Sequence, residues 1–219
     1  MQRYGCGRTA PALAGSSVNG SVKQPRPLVL VHGLWDTPHL FHRLVRQLED
    51  HRVPLLVPHL PHRLGAIPLR SLAEQLDGHI QARWGAERPI DILGFSMGGI
   101  ISRVWLQELG GASRTHRFIS VGSPQRGTLT AQWIPRWLFA GLADMKRGSR
   151  LLRHLNADPS SLRRLACTSF YCRWDLMVFP GWQAVLPLGT QHAVPVLTHQ
   201  QLMAHPRALE LLTQTILSD

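Results

Sequence analysis

The stretch best suited to chemistry is Gly94-Phe95-Ser96-Met97-Gly98. A serine between glycines, after an apolar run and before a helical pattern, fits a tight strand-to-helix turn that lifts its hydroxyl clear of a sheet. Side chains at 94 and 98 would clash in such a turn, and Gly99 permits a still closer approach. The chemistry would be attack by Ser96 on an acyl carbonyl, with the amide of Met97, at a helix amino terminus, aimed at the developing oxyanion. His32-Gly33-Leu34 closes an earlier apolar run. A loop at that place donates the other oxyanion amide, here from Leu34. His32 would then hold the loop by hydrogen bonds rather than carry protons. A Gly-rich turn with an incidental serine is the plainer reading, and the strand before it and the helix after it weigh against that.

Presenting Ser96 in this way requires a sheet whose strands all end on one side. Short apolar runs at 28–31, 53–57, 90–93, 118–121, 167–172 and 194–197 read as strands, the second awkwardly because of Pro54. Helical patterns fill 38–48, 69–84, 97–108 and 203–217, with Leu40, Phe41, Leu44, Val45 and Leu48 on one stripe of the first. The fold class expected is α/β, a mostly parallel sheet of about six strands with helices on both faces. Such sheets place their ligand sites at the carboxyl ends of the strands. The segment 128–165 breaks the alternation and reads as a helical cap. Within it Trp133, Ile134, Trp137, Leu138, Phe139 and Leu142 suggest a helix apolar nearly all round, beside Lys146, Arg147 and Arg150.

At 219 residues and 44% hydrophobic, the chain is long enough for one domain with a real core. The expected organisation is a disordered leader over 1–25 and a domain over 26–219 that carries the insertion at 128–165. No run approaches the ~20 apolar residues of a membrane span. The net charge of +11 comes mostly from scattered arginine, with lysine only at Lys23 and Lys146. Without a continuous basic tract, nucleic acid is not the expected partner. Loose peripheral contact with an anionic membrane surface fits better. Cys6, Cys167 and Cys172 are odd in number and match no zinc spacing, so the two later ones read as small core residues. With no secretory pattern in the leader, a cytoplasmic setting is expected. Oligomeric state is left open.

Residues 28–34, 94–99 and the turn Gly122-Ser123-Pro124-Gln125-Arg126-Gly127-Thr128 together resemble the α/β-hydrolase superfamily, and within it a small bacterial lipase/esterase group. The resemblance spans about 26–216; the turn leads into the family's helical cap, which Asp144-Met145-x-x-Gly148-Ser149 and Leu152 to Asn156 also resemble. It implies hydrolysis of carboxylic esters by a triad in the order serine, acid, histidine. Asp175, after the fifth strand in an Asp-x-x-Val-x-Pro pattern, matches the family's acid. Asp144 and Asp158 are rivals inside the cap, and Asp158 before Pro159 reads as a turn residue. His199, followed by Leu202 and Pro206, matches the family's histidine, although Thr198 stands where glycine is common. His205 is its rival, with a possible alternative role in capping the last helix, and His192 reads as a loop residue before the last strand.

The roles that follow are Ser96 as nucleophile, His199 as base, Asp175 as its partner, and Leu34 and Met97 as oxyanion donors, each donor contributing about 3 kcal/mol. No cofactor is needed. No metal is expected either, because His59, His62 and Arg63 lack supporting carboxylates and read as a pocket wall. The expected substrate is a small-molecule ester or lipid with an apolar acyl chain. The cap is either ordinary packing or a lid that lines an acyl site or meets lipid. Acyl transfer to an alcohol and a non-catalytic binding protein are the alternatives.

Overall fold

A computed structural model describes residues 25–51 and 53–218. The leader expected over 1–25, with Cys6, falls outside them save for Pro25. Six strands form one parallel sheet in the order β2-β1-β3-β4-β5-β6: β1 Leu28–Val31, β2 Leu55–Leu56, β3 Ile90–Phe95, β4 Thr115–Val121, β5 Ala166–Cys172 and β6 Thr190–Val194. The helices are α1 His42–Glu49, α2 Leu69–Trp84, α3 Met97–Glu108, α4 Ala140–Asp144, α5 Arg150–Ala157, α6 Gln201–Ala204 and α7 Pro206–Leu217.

Alternation along the buried strands produces two cores. Val29 and Val31 of β1 with Ile90 and Ile92 of β3 pack under α2 and α3, in a cluster that extends to Leu142, Met145 and Leu155. Leu28 and Leu30 with Leu93 and Phe95 face the other way, onto Phe41, Leu44 and Leu48 beside α1 and onto Leu209 and Leu212 of α7. Strands covered on both faces read as continuous apolar runs, which is why period-two patterning is absent from them. Strand order reverses between β1 and β3, and the crevice at such a reversal, beyond the carboxyl ends, is where α/β sheets hold ligands.

Several elements differ from expectation. The helix expected over 38–48 starts as a 3-10 turn, Pro38–Phe41, before α1. Only Leu55–Leu56 of 53–57 pairs as strand, since Pro54 has no amide and joins the sheet only through its carbonyl, which accepts from the Leu28 amide. The last strand covers Thr190–Val194 rather than 194–197: Pro195 ends it, and His192 lies within it, stacked on Phe170. Pro206 likewise splits the closing helix into α6 and α7.

The largest departure lies in 128–165. No helix forms over 133–139. Pro135 cannot donate a helical hydrogen bond, and the segment runs as turns, with Leu138 and Phe139 both donating to the Pro135 carbonyl. Trp133 and Trp137 are 92% and 85% exposed, so the apolar face that would have stabilised a helix is not buried. Helical structure resumes at α4, α5 and the turn Ser160–Arg164. Among the described residues, no helix is long and apolar enough to cross a membrane.

Candidate active site

Ser96 follows β3 and precedes α3, with φ 53 and ψ −126, a left-handed conformation rare for a residue with a side chain. Its amide donates to the Val121 carbonyl at the end of β4. A Cβ on Gly98 would lie 2.1 Å from the Val31 carbonyl oxygen, and one on Gly94 would lie 2.5 Å from Gly99 Cα. Crowding of backbone on backbone therefore demands glycine at both positions.

One oxyanion candidate comes from the loop after β1 and the other from the first residue of α3. Among the hydrogen bonds of the described residues, the amides of Leu34 and Met97 have no backbone acceptor. His32 shapes the loop after β1: its Nε2 accepts from the Leu60 amide at 3.1 Å, so Nδ1 carries the proton and donates to the Gly33 carbonyl at 3.0 Å. Burial lowers the His32 pKa below its ordinary value and keeps the ring neutral. His62 supports the next residue, its Nε2 accepting from the Trp35 amide at 3.2 Å. His59 stacks on His32, and no group of His, Cys, Asp or Glu able to hold a metal ion occurs among the described residues.

Asp175 stands on the loop after β5, 1% exposed. Its Oδ1 accepts from the amides of Met177 and Val178 at 2.8 and 2.9 Å, and its Oδ2 lies 2.6 Å from His199 Nδ1. His199 lies on the loop after β6, its ring centroid 4.7 Å from that of Phe95. A carboxylate on Nδ1 fixes that nitrogen as the donor and leaves Nε2 unprotonated, an acceptor. Nε2 is buried and has no partner among the described residues, Ser96 Oγ included. Both Ser96 and His199 line one cavity of about 280 Å³, walled by Leu34, Met177, Val178 and, from 128–165, by Ala131, Ile134, Leu142 and Met145.

The rival residues are engaged elsewhere. His205 is exposed and caps α7 by accepting from the Arg207 amide. Asp144, on α4, meets the Arg136 guanidinium at 3.1 Å and the Leu69 amide at 3.4 Å. Asp158 accepts from the Ser160 amide. One residue that sequence reasoning passed over does reach the cavity. Asp36 lines it beside Ser96, two positions after Leu34, and that spacing is the only sequence signal for it.

The model of the alpha/beta hydrolase fold family matches residues 26–170, about two thirds of the chain. The chain belongs to the alpha/beta hydrolase fold family. Among curated proteins, this alpha/beta hydrolase is similar to lysosomal thioesterase PPT2 of Mus musculus and of Homo sapiens, 29% identical over 118 residues in each case. That stretch is 52% of this chain and 39% of theirs, so the match spans about two fifths of those relatives. Among solved structures it is similar to the mature lipase BlEst2 of Bacillus licheniformis, with a TM-score of 0.71 at 15% identity over 89% of this chain and 93% of that one. Lipase B of Aspergillus fumigatus gives 0.71 at 18% identity, over 96% and 56%. Identities this low bear on the fold alone.

Proposed function

We propose that this alpha/beta hydrolase is a serine hydrolase that cleaves carboxylic esters or thioesters with an apolar acyl part. The observation that carries the reading is the pair of Asp175 Oδ2 and His199 Nδ1 at 2.6 Å, with His199 and the strained Ser96 lining the same apolar cavity. In the reaction, His199 Nε2 takes the Ser96 Oγ proton as Oγ bonds to the acyl carbon. The amides of Leu34 and Met97 hold the oxyanion. Collapse breaks the bond to the alcohol or thiol, which leaves with the proton from His199. Water, deprotonated by the same nitrogen, then releases the acid and restores Ser96.

The lipase and thioesterase names among the similar proteins support an acyl substrate, oxygen ester or thioester. The apolar residues from 128–165 support that segment as a cap over the acyl chain. Trp133 and Trp137, exposed beside Arg136, support peripheral contact with anionic lipid. A cytoplasmic setting rests on Cys167 and Cys172, both buried free thiols. The apolar lining also favours a second reading, acyl transfer to an alcohol in place of water.

The test is hydrolysis of p-nitrophenyl esters from acetate to palmitate by wild type, His199→Ala and His205→Ala. The reading expects activity in wild type and His205→Ala and a loss of at least about a thousandfold in His199→Ala. Equal activity in His199→Ala and wild type would refute the assigned base. Added ethanol diverting the acyl group into its ethyl ester would favour transfer. Inactivity towards every ester and thioester would leave a binding protein of this fold.

A further inference from the structure

Most polar groups around the cavity are already satisfied. The Thr130 hydroxyl donates to the Met177 carbonyl at 2.7 Å and accepts from the Thr128 hydroxyl at 2.8 Å. Asp36 differs. Its Oδ2 is buried and has no hydrogen-bond partner among the described residues. A methyl group placed on Gly33 would sit 3.0 Å from that oxygen and 2.8 Å from Ser96 Cβ, so the carboxylate oxygen and the Ser96 side chain flank one small gap, less than about 6 Å across. Apart from His199, Asp36 is the one ionisable side chain lining the cavity. Burial pushes its carboxyl above the ordinary range, while the neighbouring His199 and the Gln200 side chain pull the other way. A buried acceptor left unpaired costs on the order of 1–3 kcal/mol, more if charged.

The direction in which this acceptor faces follows from the proton path. If Ser96 and His199 act as proposed above, the proton taken by His199 Nε2 goes to the departing oxygen or sulfur. The part of the substrate beside His199 is therefore its alcohol or thiol part. Asp36 lines the same cavity and lies near enough to His199 and to the Gln200 side chain to be acted on by both, which sets it on the side of that part. The position also acts on the rate. Leu34, two residues before Asp36, is the proposed oxyanion donor, so a bare carboxylate here opposes the charge that develops in the transition state. A donor on the substrate that pairs with Asp36 offsets this opposition.

We propose that Asp36 is a specificity-determining residue that selects esters or thioesters whose alcohol or thiol part carries a hydrogen-bond donor close to the scissile bond. The matching class is a hydroxyl on the carbon next to the esterified one, as in a partial ester of a polyol, or an amide N–H at similar reach on a thiol. The inference rests on the serine-hydrolase reading.

The test compares kcat/KM for 2-hydroxyethyl octanoate and 2-methoxyethyl octanoate, each divided by its rate of hydrolysis by hydroxide. The two esters differ by one O–H replaced with O–CH3. Wild type is expected to favour the hydroxyethyl ester about tenfold, the size of one hydrogen bond to a charged group. That ratio should fall to about one in Asp36→Ala. In the near-isosteric Asp36→Asn, whose amide oxygen accepts without a charge, it should lie between, and this variant keeps the test alive if the alanine variant does not fold. A wild-type ratio near one, or a ratio unchanged in both variants, overturns the proposal. Fluorophosphonate labelling of Ser96, run alongside, separates two failures. A labelled, active enzyme with no preference sinks only the role of Asp36, whereas an unlabelled protein inactive on both esters sinks the hydrolase reading and this inference together.

Discussion

Ser96 keeps a backbone conformation that costs about 1–3 kcal/mol in isolation, and its surroundings make it the conformation that fits. Its amide is held by β4, and the helix that follows starts against the Val31 carbonyl with room for a hydrogen and nothing larger at Gly98. Gly98→Ala should therefore abolish ester hydrolysis and lower stability by more than about 2 kcal/mol, read by urea denaturation. Full activity in that variant would mean that the turn is looser than described. His32 gives a pH dependence of defined sign. Burial holds its folded pKa below the ordinary 6.5, so the unfolded chain takes up the proton first on acidification. Stability is complete above pH 6.5 and is lost as pH falls through that value towards the lower folded one, and His62 adds in the same direction. Asp36 and Asp144, raised above 3.8 by burial, act with the opposite sign, in a window that begins at 3.8. The melting temperature of His32→Gln should thus decline less steeply below pH 6.5 than that of wild type.

At the scale of elements, α3, which carries the proposed oxyanion amide of Met97, is tied to its neighbours by an unusual residue. Arg103 of α3 is fully buried and, among the described residues, meets no carboxylate. Its guanidinium donates to the carbonyls of Leu155 and Gln125 and to Gln107 Oε1, and burial lowers its pKa to about 10. It joins α3 to α5 and to the turn before 128–165. Arg103→Met should cost about 2 kcal/mol in urea unfolding, because it strands the buried Gln125 carbonyl, whereas the Leu155 carbonyl keeps the Gln107 amide. A cost below about 0.5 kcal/mol would show that the Gln125 carbonyl finds another partner.

What was legible in the chain divides along physical lines. β1, β3 and β5 are buried strands, α2 and α3 bury a sustained apolar stripe, and their bounds could be read to within two residues. Ser96 was legible because a strained turn needs glycines at fixed offsets. Errors gathered where proline competes with hydrophobic pattern, at Pro54, Pro135, Pro195 and Pro206. The exposed tryptophans at 133 and 137 kept a helical spacing without a surface to bury it against. Asp36 stayed unread because nothing in a single sequence separates a carboxylate that caps a loop from one that faces a cavity.

Across the whole molecule, two features bear on where it works. The net charge is +11, and large apolar side chains are exposed around the cavity, with Trp35 at 62% and Met177 at 45% both lining it. Trp133→Ser with Trp137→Ser should weaken sedimentation with vesicles containing phosphatidylserine several-fold, and raised salt should weaken that of wild type. Binding that ignores both changes would remove the membrane from the account. The reversal of strand order between β1 and β3 brings Leu34 and Ser96 to one crevice, and the loops after β5 and β6 bring Asp175 and His199 to the same edge. We propose that this edge holds one reactive serine. The most direct test is intact-protein mass spectrometry after treatment with a fluorophosphonate, followed by peptide mapping. A single adduct on Ser96, absent from Ser96→Ala and slowed in His199→Ala, is the expected result. No adduct, or adducts spread over other serines at the same rate, would contradict it.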